Sequence, residues 1–148
     1  MPKRNTVNAQ SEFATEKDSP MKRTLQAVTA ILGLVPIITG LIGMSGTSDP
    51  LYAGAGLPPN ILLDSNLRFF AGLWFALGLA ICWLIPRIET QTVLFRAIWI
   101  MIFFGGVGRL ISVLFVGAPP APFIGFIALE IVGAPLFILW QARVAKSA

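Results

Sequence analysis

Four long apolar runs divide the chain, from about Thr24 to Met44, Leu67 to Ile85, Val93 to Val116 and Ala121 to Trp140. Each meets or nearly meets the roughly 20 residues that a helix needs to cross a ~30 Å hydrocarbon core. The pattern predicts an all-α protein, an integral membrane four-helix bundle. Residues 1–20 are polar, mixed in charge and without apolar periodicity, and read as a disordered tail. Residues 21–148 form the transmembrane domain. The longest connection, Ser45 to Leu63, is rich in Gly and Pro and carries Asp49, Tyr52 and Asn60. It reads as a loop outside the membrane.

Polar residues inside or beside the runs carry the chemical information. Asp64, Ser65 and Asn66 have N-cap chemistry for a helix beginning near Leu67. Arg68 then falls in the first turn, where the helix dipole repels a cation. Its candidate compensations are Asp64 four residues earlier, Asp49 folding back, or an anionic headgroup or substrate. In the third run, Gly105, Gly106 and Gly108 are candidates for close helix packing. Gly105, Arg109 and Ser112 share a face by helical spacing. In the fourth run, Phe123, Phe126, Ile127, Glu130, Gly133, Ala134 and Phe137 lie close to one face. Pro135 follows and denies the Ile131 carbonyl its usual donor. Pro36, with Gly33, Gly40 and Gly43 around it, predicts a bend in the first run.

Arg109 and Glu130 lie ten residues before and eleven after Pro119. In an antiparallel hairpin rising ~1.5 Å per residue they reach nearly the same depth. An unpaired charge there costs several kcal/mol, so an ion pair or a polar cavity is expected. With the Ile131 carbonyl they define a candidate small-molecule pocket walled by phenylalanines, or else a structural lock.

Composition narrows the class further. Of 148 residues, 55% are hydrophobic and 12% charged, with a mean hydropathy of +0.77, which is too apolar for an ordinary soluble domain. Histidine is absent and Cys82 is the only thiol. That excludes an intrachain disulfide and histidine-based haem, zinc or triad chemistry from this chain alone. The net charge of +4 gathers before the first run, around the second connection and after the fourth run. By the positive-inside rule both termini are cytoplasmic. No basic folded face points to nucleic acid. Met21, followed by Lys22 and Arg23, is an alternative start that would make the first run resemble a signal peptide. The run is long for that, and no A-x-A site follows it.

Three segments carry a resemblance: LDSNLRFFAGLWFALG from Leu63, RAIWIMIFFGGVGRLIS from Arg96 and ALEIVGAPLFILWQ from Ala128. Their order resembles the bacterial family of small four-span membrane proteins described as domain of unknown function 4345. The resemblance singles out Asp64, Asn66, Arg68, Gly105, Gly106, Arg109, Glu130 and Pro135, and it implies no activity. A looser similarity to DoxX-like membrane proteins concerns architecture alone.

With no catalytic constellation, the leading expectation is a non-enzymatic assembly or accessory protein that contacts itself or another membrane protein. It is expected to need no cofactor or metal. One alternative is a binding protein for a lipid, quinone or similar apolar ligand, with Asp64, Asn66, Arg68, Arg109 and Glu130 as candidate site residues. Another is a small proton-coupled transporter that uses Glu130. The helix-packing candidates are Gly105, Gly106, Gly108, Gly133 and Pro135.

Overall fold

The computed structural model describes residues 19–52, 54–56 and 60–147. Most of the expected tail, 1–18, lies outside the described residues. Four helices are long and apolar enough to cross a membrane: α1 (Pro20–Gly43), α2 (Ile61–Leu84, continued by a 3-10 turn to Arg87), α3 (Thr92–Phe115) and α4 (Ala121–Lys146). No strand occurs among the described residues.

Local chemistry sets where the helices begin. The Ser19 hydroxyl accepts from Lys22 N at 3.3 Å, and Pro20 occupies the first helical position, where its missing N–H costs nothing. For α2 the cap is Asn60, whose side chain accepts from Leu63 N at 2.9 Å. This corrects the expectation that Asp64 to Asn66 cap a helix starting near Leu67. The apolar triplet 61–63 joins the helix once Asn60 supplies an acceptor. Arg68 therefore sits in the second turn, beyond the strongest part of the N-terminal field.

The residues fall into two compact units. In the first, Ala27–Pro86, α1 and α2 approach at glycines. A Cβ on Gly40 would stand 2.6 Å from Phe75 N and 2.9 Å from the Ala71 carbonyl oxygen. A Cβ on Gly78 would stand 2.9 Å from Ile37 N. These contacts are with backbone, so no rotamer change relieves them. Trp74 Nε1 donates to Thr39 Oγ1 at 2.9 Å, which ties the pair at mid-length. The helical assignment of α1 runs unbroken through the buried Pro36.

The second unit joins residues up to Gln26 with those from Arg87 onward. Here α3 and α4 form an antiparallel hairpin around Phe95, Ile98, Trp99, Ile102, Ala134, Phe137 and Val144. Trp99 and Phe137 stack with centroids 4.3 Å apart. Gln141, fully buried, donates through Nε2 to the Ile88 carbonyl and to Thr92 Oγ1, both at 2.9 Å. Lys22 Nζ meets Glu89 Oε1 at 2.9 Å.

Midway, α4 departs from α geometry. Leu129–Gly133 form a π turn in which Ala134 N donates to the Leu129 carbonyl, five residues back. Pro135 has no N–H to continue the ladder, and a widened turn is one way a membrane helix absorbs such a break. Glu130 lies within that turn.

Candidate functional site

Arg68, half exposed, uses all three guanidinium nitrogens. Its Nε donates to Asp64 Oδ2 at 2.7 Å and its Nη2 reaches Asp64 Oδ1 at 3.3 Å. Nη1 donates to the Met44 carbonyl at 2.7 Å and Nη2 to the Ser45 carbonyl at 3.0 Å. Those carbonyls follow the C-terminus of α1, where orphan acceptors and the negative end of the dipole favour a cation. Asp64 Oδ1 in turn accepts from Thr47 N at 3.0 Å and Thr47 Oγ1 at 3.1 Å. Gly46, at φ +68°, lets the chain turn here, and a Cβ on it would strike the Asp64 carboxylate. Asp49 does not fold back to Arg68. Its Oδ1 accepts from Leu51 N at 2.9 Å within its own turn. The first arginine is thus a latch closing the α1–α2 connection.

Arg109 and Glu130 form a different arrangement. Arg109 Nε lies 3.1 Å from Glu130 Oε2, with the Glu130 side chain 9% exposed and that of Arg109 41% exposed. The contact is a charge pairing, since Oε2 receives no aligned hydrogen bond. The guanidinium carbon stands 5.7 Å from the Phe123 ring centroid, in cation–π range. Arg109 makes no other contact of these kinds with a described residue, so the remaining guanidinium N–H groups keep their hydrogen-bonding capacity. Arg109 also lines a cleft of about 100 Å³, together with Ser112, Val113, Pro119, Phe123 and Ile127. Arg109 precedes the end of α3 by six residues, or ~9 Å of helix.

The other nominated residues fall in separate places. Gly106 faces α4, and a Cβ on it would stand 2.6 Å from the Glu130 Cβ. A Cβ on Gly105 or Gly108 would meet no described residue within 4 Å. A Cβ on Gly133 would meet only the Leu129 side chain of its own helix, at 2.8 Å. Pro135 is exposed, and Asn66 is exposed on α2. Of the expected phenylalanine wall, Phe123 lines the cleft while Phe137 stacks on Trp99. Sequence reasoning passed over Gly40 and Gly78 as packing positions, and Gln141 as a buried tie. A lone glutamine just past the end of the fourth apolar run gave little sign of the last.

The helices and the cleft define a small multi-pass membrane protein with one half-open polar point in an apolar hairpin. The chain belongs to the family described as Domain of unknown function (DUF4345), whose model matches residues 24–141. Every nominated site residue lies inside that range. Comparison with curated proteins finds no match, and neither does comparison with solved structures.

Proposed function

We propose that this chain is a non-enzymatic membrane protein that holds the polar head of an amphiphile in the α3–α4 cleft. The observation that carries the reading is Arg109, half exposed and with donors to spare, in the lining of a cleft whose other walls are mostly apolar. Apolar walls around a few convergent polar groups are the usual make-up of a small-molecule site. The distribution of Lys and Arg supports cytoplasmic termini, so the cleft opens toward the outer leaflet. The test is native mass spectrometry of gently extracted wild-type and Arg109→Ala proteins. A lipid-sized adduct on the wild type that the folded variant lacks is expected. An adduct retained by Arg109→Ala overturns the assignment.

A second reading, self-association, draws on Gly105 and Gly108, which offer small surfaces on α3 with no described residue packed on them. Gly105→Leu is then expected to remove a specific cross-linked dimer. A dimer that survives the substitution removes this reading.

A further inference from the structure

Resting on the amphiphile reading and deepening it, we propose that Glu130 makes the cleft selective for an uncharged acylglycerol-type head, bearing an ester carbonyl and a hydroxyl, over a head bearing phosphate. Three observations lead there. The first is charge balance. Glu130 lies 3.1 Å from Arg109 and is nine-tenths buried, so the guanidinium is already neutralised from inside the hairpin. No further cation on the packed elements faces the pair. On α3 the other charged residue is Arg96, thirteen residues from Arg109. On α4 Arg143 and Lys146 lie thirteen and sixteen residues beyond Glu130. At ~1.5 Å per residue all three are ~20 Å or more away along the helices. A phosphate entering the cleft would place a second negative charge near the buried carboxylate with no second cation on α3 or α4 to offset it, in surroundings that screen poorly.

The second observation is the donor set. The free guanidinium N–H groups suit a carbonyl oxygen. Ser112, on the same face, has a hydroxyl that makes no hydrogen bond to a described residue and can exchange one with a ligand hydroxyl. The third is size. At about 100 Å³ the cleft is smaller than the roughly 300–1,000 Å³ pockets that enclose whole small molecules. Only a head enters, and the acyl tail stays against the lipid-facing helices.

The experiment uses two probes that differ by one phosphate, 1-monooleoylglycerol and 1-oleoyl-lysophosphatidate. Both are offered at equal concentration to the full chain in maltoside micelles, and bound mass is read by native mass spectrometry. The wild type is expected to prefer monooleoylglycerol at least tenfold. Glu130→Gln, which keeps the shape and removes the charge, is expected to lose or reverse that preference. Equal or tighter binding of lysophosphatidate by the wild type overturns the selectivity and leaves amphiphile binding standing. Binding of neither probe overturns both readings. An unchanged preference in Glu130→Gln removes Glu130 as its determinant. The wild-type comparison decides the selectivity whether or not the variant folds.

Discussion

Gly106 approaches Glu130 so closely that a Cβ on the glycine would stand 2.6 Å from the Cβ of the acid. The same would-be methyl would lie 3.1 Å from Ile131 Cδ1. Glu130 cannot back away by a rotamer change, because its Cβ is fixed to the α4 backbone. The glycine thus sets the helix separation at which Arg109, three residues on, reaches the carboxylate.

Gly106→Ala is therefore expected to push the two helices apart and cost about 1–3 kcal/mol, the usual range for overpacking. Gly105→Ala, with no described residue within 4 Å of the new Cβ, should stay within about 0.5 kcal/mol of wild type. Reversible unfolding in mixed micelles compares the two. Equal stability of both variants would show that α3 and α4 do not meet at Gly106.

The ion pair makes a separable contribution. Arg109→Ala strips the partner from a buried carboxylate, and such losses exceed those of surface pairs. Because Arg109 is itself half exposed, the expected cost is intermediate, about 1–3 kcal/mol. Adding Glu130→Gln should return part of that loss, since the double variant buries no lone charge. A double-mutant cycle reads the coupling directly. Additive single costs would mean that the 3.1 Å contact contributes nothing in the membrane.

The hairpin was legible in the sequence because it depends on counting. Equal distances from Pro119 put Arg109 and Glu130 at one depth, and the Arg109–Glu130 contact lies where that count places it. Helix rotation was not legible. Gly105, Gly106 and Gly108 look equivalent in a string, yet a Cβ would find a neighbour at Gly106 alone. The start of α2 was misplaced for a similar reason. Asp64 has cap chemistry, but Asn60 caps the helix and leaves Asp64 free for Arg68 and Thr47. The role of Arg68 was hidden because its carbonyl partners, Met44 and Ser45, lie more than twenty residues away in sequence.

The Arg68 latch needs a planar fork. Arg68→Lys keeps the charge but offers a single point of donors, which cannot serve Asp64 and two carbonyls in their present places. Faster amide exchange is expected at residues 45–49, with α1 itself unaffected. Gly46→Ala should disturb the same turn more. It combines a strained φ with a collision at Asp64, and a cost of about 1–3 kcal/mol is expected. Exchange at 45–49 that is unchanged in both variants would leave Arg68 as a surface charge with incidental neighbours.

Gln141 provides the last test, at the opposite end of the α3–α4 hairpin from the cleft. Its Nε2 donates to the Ile88 carbonyl and to Thr92 Oγ1, so one side chain holds α4 to the connection leading into α3. Gln141→Leu keeps the volume and removes both bonds. The Ile88 carbonyl loses its partner, and an unsatisfied buried acceptor costs about 1–3 kcal/mol. Gln141→Glu should be worse than Gln141→Leu. It presents acceptors to a carbonyl, which has no proton to give, and it adds a charge where Gln141 is fully buried. The expected order of unfolding midpoints is wild type, then Leu, then Glu, and the Arg109 adduct should survive in any folded fraction. A Glu variant as stable as wild type would mean that water reaches this position and that the tie is not sealed inside the hairpin.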